Sequence, residues 1–306
     1  MQAMNRWIEA SRPRTLPMSC SAVALGAGLG AFESSMVPVW LLIIQSALIV
    51  ATAALLQILS NFANDLGDMI SGVDRVERAG RVSVIGQGKV SLSEMKKATF
   101  AVLAVTLVVG SLALLTCFWG EPAKFGWFCV LGACSAIAAV TYTMGPSYSY
   151  IGLGDLFVFV FFGLVAVMGA EFMLAGHVSI WGVLWGCMAG FSSTMTLNVN
   201  NLRDYESDLA VGRKKSVPVR FGVKAGKIYH AAMFASAGFI YLFSVLFLYS
   251  PLWLTLALAA AVPFAKTACE VVSPKSSGSM LEPLMKPTSV GAALLNMSLL
   301  AGVLFA

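Results

Sequence analysis

Two short runs of asparagine and aspartate, about 140 residues apart, are the part of this sequence best suited to chemistry. The first occupies residues 61–68 with the sequence NFANDLGD, and the second occupies residues 200–208 with NNLRDYESD. Each contains Asn-x-x-x-Asp and then a further aspartate three or four residues on. On a helix, positions 61, 65 and 68 share one face, and so do 200, 204 and 208. We call these runs the first and second acidic motifs and expect each to present its carboxylates from one helix face.

The two motifs together predict a site for a metal-bound diphosphate. An aspartate in lipid is costly, at about 2.5–3.5 kcal/mol at the bilayer centre, and clustered carboxylates repel each other. A cation between the motifs removes that repulsion, and Mg²⁺ is usually held by a few carboxylates plus substrate phosphates. The alternative, solvated carboxylates at helix ends, is weakened by the presence of two such motifs. We predict that the aspartates are catalytic metal ligands and that the asparagines complete or orient the diphosphate site: Asp65, Asp68, Asp204, Asp208, Asn61, Asn64 and Asn200.

Basic residues follow each acidic motif in the polar stretch that comes next. A departing diphosphate gains negative charge, which positioned arginine and lysine side chains can offset together with a metal ion. The alternative for any one of them is an ordinary topology role at the inner face of a membrane. The predicted diphosphate-binding cations are Arg75, Arg78, Arg81, Arg203, Lys214 and Lys215, with Lys89, Arg213 and Arg220 as further loop cations.

The elements that must position these motifs are membrane-spanning helices. Of the 306 residues, 58% are hydrophobic and 11% are charged, whereas a soluble domain carries about 25% charged residues. Runs of about 20 apolar residues span a bilayer as helices, which satisfy their own backbone groups in lipid. We predict an all-α polytopic membrane protein that forms a single domain over residues 1–306. The nine predicted transmembrane helices are 15–32, 38–61, 98–119, 124–143, 151–174, 179–200, 229–249, 252–269 and 288–306.

The placement of basic residues predicts the orientation of the chain. With a cytoplasmic N-terminus, all 20 Lys and Arg except Lys124 lie on the cytoplasmic side or at a helix end that faces it. If the number of spans differed by one, the basic residues would fall on both sides of the membrane. Nine spans and a cytoplasmic N-terminus therefore support each other. Both acidic motifs then reach the inner face, an arrangement that an internal duplication of a four-helix unit would explain. The net charge of +5 is accounted for by topology and does not indicate a nucleic-acid partner.

At these residues the sequence resembles the UbiA superfamily of membrane prenyltransferases, whose two aspartate-rich motifs bind magnesium and an allylic diphosphate. The opening WIEASRPRTLP, residues 7–17, is similar to that of the 1,4-dihydroxy-2-naphthoate polyprenyltransferase branch. YTMGP at 142–146 and GLGDLF at 152–157 are similar to the middle of that branch. NNLRD at 200–204 and VRFG at 219–222 match the region of its second motif. The resemblance runs from about residue 7 to the C-terminus.

The resemblance implies a fold and a reaction. The fold is nine helices around a central cavity that opens sideways to lipid. The reaction, with Mg²⁺ as cofactor, transfers a polyprenyl group from polyprenyl diphosphate to 1,4-dihydroxy-2-naphthoate, with loss of CO₂ and diphosphate, to give demethylmenaquinone for menaquinone biosynthesis. The location that we expect, the cytoplasmic membrane with the active site toward the cytoplasm, follows from the placement of the basic residues. Two places depart from the branch: Arg81 and Ser83 stand where it carries Pro and Arg, and the stretch 212–216 is one residue longer, which leaves open which lysine faces the diphosphate.

Four more residues are candidates for contact with an aromatic acceptor. Asp155 could orient or deprotonate a ring hydroxyl, or it could be a helix-start acid favoured by the helix dipole. Tyr142 could hydrogen-bond the acceptor or belong to an interfacial aromatic belt. Arg12 and Arg14 are predicted to meet the carboxylate of the aromatic substrate, with a topology role as the alternative. The phenylalanines in 157–162 could stabilise an allylic cation, although we expect most of them to face lipid or neighbouring helices.

Three other functions use similar residues. A prenyltransferase for 4-hydroxybenzoate, homogentisate or a tetrapyrrole shares the first motif but not the opening and middle segments. A CDP-alcohol phosphatidyltransferase also uses clustered aspartates and Mg²⁺, but within one compact motif. A transporter places its intramembrane acids near the midplane, often at broken helices, whereas these acids lie at helix ends beside basic loops.

Overall fold

A computed structural model describes residues 2–72, 82–145, 147–212, 214–247 and 251–305. Within these residues every regular element is helical, as the sequence predicts. In chain order the helices are α1 (Gln2–Ser11), α2 (Leu16–Glu33), α3 (Val39–Ser71), α4 (Leu92–Cys117), α5 (Pro122–Thr141), α6 (Gly154–Phe159), α7 (Ala166–Ala175), α8 (Ile180–Arg203), α9 (Tyr205–Val211), α10 (Val217–Phe247), α11 (Pro251–Val272) and α12 (Glu282–Phe305). A π-helical segment, Val160–Val165, joins α6 to α7, and a 3₁₀ turn, Gly278–Leu281, leads into α12.

The helices are those of a membrane protein. Among the described residues, seven helical stretches are long and apolar enough to cross a bilayer: α2, α3, α4, α5, the continuous rod from α6 to α7, α10, and α12 with its 3₁₀ turn. Together with α8 and α11, helical segments overlap all nine predicted spans. The all-α membrane architecture is confirmed, while the count of nine transmembrane helices and the cytoplasmic N-terminus stay predictions.

The helix that carries the first acidic motif extends beyond the predicted membrane span. That span ends at residue 61, and α3 continues to Ser71 and contains the whole motif, which agrees with the expectation that residues 61, 65 and 68 lie on a helix. Its 33 residues extend about 50 Å, well beyond a hydrocarbon core of about 30 Å. Hydropathy marks where lipid contact ends rather than where helical hydrogen bonding ends. The helix stops at Gly72, whose φ of 79° is typical of a glycine C-cap.

The second acidic motif is not one continuous helix. The prediction places residues 200, 204 and 208 on a single helix face, but α8 ends at Arg203 and α9 begins at Tyr205. Asp204 lies between them with φ −89° and ψ 8°, in a sparsely populated region of backbone space where many active-site residues are found. The backbone N–H groups of Asp204 and Asp208 still donate to the carbonyls of Asn200 and Asp204, at 2.9 and 2.8 Å, so the three residues stay one helical turn apart across the local break. The shared helix face stays a prediction for this motif.

Close helix contacts hold the rod α6–α7 between α2 and α8. A Cβ on Gly26 of α2 would lie 2.1 Å from the carbonyl oxygen of Val167. A Cβ on Gly163 would lie 2.5 Å from the carbonyl oxygen of Gly186 in α8. Only glycine allows the backbones to approach so closely, as is common between membrane helices. Buried apolar side chains of α2, α7, α8, α10, α11 and α12 form the largest core cluster, whereas α3, α4 and α5 border a chamber described below.

Candidate active site

The two acidic motifs line the same pocket. Asn64 and Asp68 of α3 and Asn200 and Asp204 at the end of α8 all border a polar pocket of about 110 Å³. The α1–α2 connection, the α5–α6 connection, the start of α6, the segment after α9 and Met285 of α12 also contribute to its lining. Helix ends that are far apart in sequence are thus brought to one place. This is the arrangement that a shared diphosphate site requires.

The two aspartates of the first motif have different partners. Asp65 is fully buried, and its Oδ1 lies 2.6 Å from Nη2 of Arg12. Its Oδ2 accepts a hydrogen bond from the backbone N–H of Val84 at 3.4 Å. Asp68 borders the pocket, and its Oδ1 accepts a hydrogen bond from the hydroxyl of Tyr150 at 3.3 Å. Asp68 is therefore presented to the pocket, while Asp65 anchors the segment before α2.

The asparagines of the first motif hold that same segment. Nδ2 of Asn61 donates to the carbonyl of Ser11 at 2.9 Å. The side-chain amide of Asn64 is oriented with its oxygen toward Arg12. This oxygen accepts hydrogen bonds from Nη1 and Nη2 of Arg12 at 2.9 and 3.2 Å. Arg12 has φ 51°, which is uncommon for a residue other than glycine and costs of order 1–3 kcal/mol. The contacts with α3 hold Arg12 in this conformation, immediately before Pro13.

Arg203 organises the second motif. This arginine is only 6% exposed, and its Nε and Nη2 donate to both carboxylate oxygens of Asp204, at 2.9 and 2.8 Å. Its Nη1 donates to Oε2 of Glu282, the first residue of α12. The other oxygen of Glu282 accepts from Nη1 of Arg14 at 2.7 Å. A chain of charges thus runs from the pocket carboxylate of Asp204 to the α1–α2 connection.

The basic residues after the second motif separate into two groups. Lys214 borders the pocket, and its Nζ lies 3.3 Å from Oδ1 of the buried Asp208. Lys215 is exposed and does not border the pocket. Arg220 is also exposed and donates to the carbonyl of Ile151 at 2.6 Å. Of the two lysines that the sequence leaves open, Lys214 is the one that the structure brings to the site.

The remaining predicted cations lie elsewhere. Lys89 does not border the pocket, and its Nζ forms an ion pair with Glu9 at 2.7 Å. The other four fall outside the described residues: Arg75, Arg78, Arg81 and Arg213.

The donor atoms suit a metal bound together with phosphate groups. Among the described residues, no group of three or more Asp, Glu, His or Cys side chains is placed to hold a metal ion alone. Asp68 and Asp204 still reach one pocket from two helices, beside the amides of Asn64 and Asn200. Mg²⁺ is usually bound through one or two carboxylates plus substrate phosphates. Two hard oxygen donors and two amides around one pocket fit that requirement, whereas Asp65 and Asp208 do not border the pocket.

An apolar chamber adjoins the polar pocket. It has a volume of about 470 Å³ and is bordered by α2, α3, α4, α5, the rod α6–α7 and α8. Six residues border both spaces: Arg12, Thr15, Asn64, Tyr142, Leu197 and Asn200. The two cavities therefore meet at these six residues. A ligand with a charged head and a long apolar tail could place one part in each.

Three of the four phenylalanines considered from the sequence border this chamber. Phe157, Phe161 and Phe162 do so, which corrects the expectation that most of the four face lipid or neighbouring helices. Phe159 instead packs against Phe191 of α8, with 4.9 Å between ring centroids. Phe157 and Phe161 are four residues apart and so lie on one helix face, and Phe162 follows directly.

Aromatic rings run from the polar pocket into the chamber. The ring centroids of Tyr142 and Tyr148 are 5.4 Å apart, those of Tyr148 and Phe157 are 4.0 Å apart, and those of Phe157 and Phe161 are 5.9 Å apart. Ring faces attract a cation that lies within about 6 Å. Tyr142 lies at the junction of the two cavities, where its phenol hydroxyl can donate a hydrogen bond.

The remaining acceptor candidates also border the polar pocket. Asp155 does so from the start of α6, and its Oδ1 is buried without a hydrogen-bond partner among the described residues. Arg12 and Arg14 do so from the α1–α2 connection. Their guanidinium groups pair with Asp65 and Glu282, and the contact predicted for them with a substrate carboxylate stays a prediction.

Three residues at the site were missed by the sequence reasoning. Tyr148 and Tyr150 lie between the two middle segments YTMGP and GLGDLF, so a run rich in tyrosine was the available signal. Glu282 carries a weaker signal: an acidic residue followed by proline at the start of a long apolar helix. Nothing in its sequence neighbourhood points to Arg14 or Arg203.

Comparison with known proteins agrees with this geometry. The family model described as the UbiA prenyltransferase family matches residues 19–282. The 1,4-dihydroxy-2-naphthoate octaprenyltransferase of Escherichia coli (strain K12) is 37% identical, over 97% of this chain and 94% of its own length. The protein of the same name from Mycobacterium tuberculosis (strain ATCC 25618 / H37Rv) is 34% identical, over 95% of this chain and 94% of its own length.

Solved structures share the fold. A UbiA homologue from Archaeoglobus fulgidus, bound to DMAPP and Mg²⁺, has a TM-score of 0.61 and 19% identity, with 98% of this chain and 100% of that chain covered. An apo UbiA homologue from Aeropyrum pernix K1 has a TM-score of 0.65 and 14% identity, with 94% and 97% covered. The resemblance seen in the sequence is confirmed: this chain belongs to the UbiA prenyltransferase family.

Proposed function

We propose that this protein transfers a polyprenyl group from polyprenyl diphosphate to 1,4-dihydroxy-2-naphthoate, with release of diphosphate and CO₂, as part of menaquinone biosynthesis. The observation that carries the proposal is the meeting of both acidic motifs at one polar pocket that opens into an apolar chamber. Relatives that match nearly the whole chain are named 1,4-dihydroxy-2-naphthoate octaprenyltransferases, which supports this acceptor and a long isoprenoid. The acceptor agrees with the one predicted from the sequence.

The diphosphate head is held in the polar pocket. Asp68 and Asp204, with Asn64 and Asn200, are the residues that would hold Mg²⁺ there together with the diphosphate, and the A. fulgidus homologue bound to DMAPP and Mg²⁺ supports this use. Mg²⁺ in such a site would offset the negative charge that grows on the leaving diphosphate. Lys214 borders the same pocket and adds a positive charge from the protein itself.

The polyprenyl tail lies in the apolar chamber. Breaking the bond between the allylic carbon and the diphosphate oxygen leaves both bonding electrons on the diphosphate and a positive charge on the allylic group. Water would capture that cation, so an enclosure lined by apolar side chains favours transfer to the acceptor. The rings of Tyr148, Phe157 and Phe161 border the chamber in a series that starts beside Tyr142 at the junction and would stabilise the positive charge through their faces.

The aromatic acceptor binds beside Tyr142 and Asp155. Both border the polar pocket, and the phenol hydroxyl of Tyr142 donates a hydrogen bond to the acceptor. Asp155 accepts from a ring hydroxyl and so raises the electron density of the ring that attacks the allylic carbon. The new carbon–carbon bond is made with ring electrons, and loss of the carboxylate as CO₂ restores aromaticity. No electrons leave the ring, so the direct product is the hydroquinone form of demethylmenaquinone.

The pocket faces the cytoplasm in this proposal. The acidic motifs follow spans that run in the same direction, and the adjoining segments carry the basic residues that favour the inner side of a membrane. Water-soluble acceptor and released diphosphate would then exchange with the cytoplasm, while the tail enters from the lipid.

The test is an assay of the purified, membrane-reconstituted protein with octaprenyl diphosphate and Mg²⁺. We expect transfer to 1,4-dihydroxy-2-naphthoate with release of CO₂ and diphosphate, and little transfer to 4-hydroxybenzoate or homogentisate. A preference for either of the other acceptors would overturn the acceptor assignment. Absence of Mg²⁺-dependent transfer to any aromatic acceptor would overturn the reaction class.

A further inference from the structure

A carboxylate outside both acidic motifs joins three separate parts of the chain at the pocket. Glu282 begins α12, and its two oxygens contact Arg14, from the α1–α2 connection, and Arg203, from the end of α8. These residues are 268 and 79 positions away in sequence. Both arginines border the polar pocket, whereas Glu282 does not. The contacts of Glu282 with the site therefore run through the two arginines.

The contacts fix the orientation of Arg203 completely. All three nitrogens of its guanidinium group are engaged, two by Asp204 and one by Glu282. Such paired and charge-assisted hydrogen bonds are stronger and more directional than neutral ones. Arg203 holds both carboxylate oxygens of Asp204. The orientation of this carboxylate, which borders the pocket, therefore depends on the position of Arg203. Glu282 fixes the remaining nitrogen of the same group.

Arg14 depends on Glu282 in a simpler way. Its Nη1 lies 2.7 Å from Oε1 of Glu282. This ion pair holds a guanidinium at the rim of the pocket that would otherwise be a long, flexible side chain. The negative charge of Glu282 is favoured where it stands, because a helix N-terminus stabilises an anion.

We propose that Glu282 is a positioning residue of this site, which holds Arg203 against Asp204 and Arg14 at the pocket rim so that the diphosphate head is bound in one orientation. The inference rests on the proposed function and adds to it a residue that lies outside both acidic motifs. It assigns Glu282 no contact with substrate. Its effect should therefore appear in binding of the diphosphate more than in the rate of the chemical step.

Glu282→Gln tests the proposal, since it removes the charge and keeps the shape. We expect the KM for octaprenyl diphosphate to rise about tenfold while kcat at saturation stays within about threefold, because one charge-assisted contact to each arginine is weakened. Glu282→Asp keeps the charge on a shorter side chain and should recover part of the loss. Glu270→Gln is the matched control, because Glu270 is an exposed acid of the neighbouring helix α11 and does not border the pocket.

A second measurement does not need turnover. Titration of inorganic pyrophosphate in the presence of Mg²⁺ should give a Kd about tenfold higher for Glu282→Gln than for the unmodified protein. In an Arg14→Gln background the effect of Glu282→Gln should be smaller, because one of its two partners is already gone. If Glu282→Gln does not fold, the same comparison is made with Glu282→Asp, for which a Kd between two- and tenfold higher is expected.

The outcomes separate the two proposals. An unchanged KM and Kd in Glu282→Gln, or a loss confined to kcat or to thermal stability, would overturn the positioning role. Additive effects of Arg14→Gln and Glu282→Gln would overturn the part assigned to Arg14. Failure of the unmodified protein to transfer a prenyl group would overturn the proposed function alone, since the pyrophosphate titration still reports on Glu282.

Discussion

Arg12 and Asp65 form an ion pair with 2.6 Å between Nη2 and Oδ1. The arginine borders both the polar pocket and the apolar chamber, whereas the aspartate borders neither. The fully buried carboxylate of Asp65 thus holds a cation at the junction of the two cavities. The first acidic motif consequently has two tasks: Asp68 reaches the pocket, and Asp65 fixes the α1–α2 connection against α3.

Arg12→Gln should destabilise the protein. The substitution removes a charged partner from the buried Asp65, and hydrogen bonds to charged groups contribute about 1.5–3 kcal/mol. We expect a free energy of unfolding lower by about that amount, measured by thermal or denaturant unfolding in detergent. In the double variant Arg12→Gln/Asp65→Asn the two losses should be less than additive. Strict additivity would show that the pair is not coupled.

Asp68→Asn and Asp204→Asn should each nearly abolish prenyl transfer. Both carboxylates border the polar pocket, and removal of one group that stabilises developing charge costs about 10²–10³-fold in rate. The measurement is kcat/KM for octaprenyl diphosphate in protein that retains its normal melting temperature. Glu206→Gln is the control, because Glu206 lies in the second motif but is exposed and does not border the pocket. Near-normal turnover by either aspartate variant would contradict the assignment.

Gly169→Leu should shorten the isoprenoid that the enzyme accepts. Gly169 borders the apolar chamber, and a Cβ built there meets no atom within 4 Å, so a larger side chain fits and reduces the space. Each tail carbon that loses its place in the chamber costs about 0.8 kcal/mol of burial, so loss of about two or three carbons predicts a roughly ten- to 100-fold lower kcat/KM for octaprenyl diphosphate and a much smaller change for dimethylallyl diphosphate. Gly238→Leu, at an equally open position that does not border the chamber, should leave both values unchanged. Equal losses for the two substrates would refute the placement of the tail.

Gly26→Ala should destabilise the fold without a direct effect on the site. Its Cβ would lie 2.1 Å from the carbonyl oxygen of Val167, so α2 and α7 would have to separate. A loss of about 1–3 kcal/mol in the free energy of unfolding is expected. Gly126→Ala in α5, where a Cβ meets nothing within 4 Å, provides the comparison and should leave stability nearly unchanged. A melting temperature of Gly26→Ala equal to that of the control would argue against the close contact.

Local features of the sequence were sufficient to predict the helices and the residue types that meet at the polar pocket. Apolar runs of membrane length predicted helices, and the structure contains helices at those positions. This prediction works because the hydropathy of a segment depends only on the residues within it. The two acidic motifs predicted the pair of helix ends that border the polar pocket, since their residue types and spacing already specify oxygen donors at two places. The resemblance to the UbiA family was likewise readable, and the matched region of residues 19–282 confirms it.

Other features depended on contacts between distant segments. The helical extension of α3 to Ser71 and the kink at Asp204 are set by neighbouring helices and connections, and hydropathy does not register them. The roles of Arg12 and Lys214 follow from which carboxylate each one meets in space.

Glu282 gives the clearest contrast between the two kinds of information. The sequence by itself determined an all-helical membrane protein with two oxygen-rich motifs, because side-chain chemistry and local periodicity are properties of each short segment. Only the tertiary structure decided that an acid at position 282 meets arginines 268 and 79 residues away. Ion pairs form between side chains whose helices pack together, and that packing is a property of the whole chain.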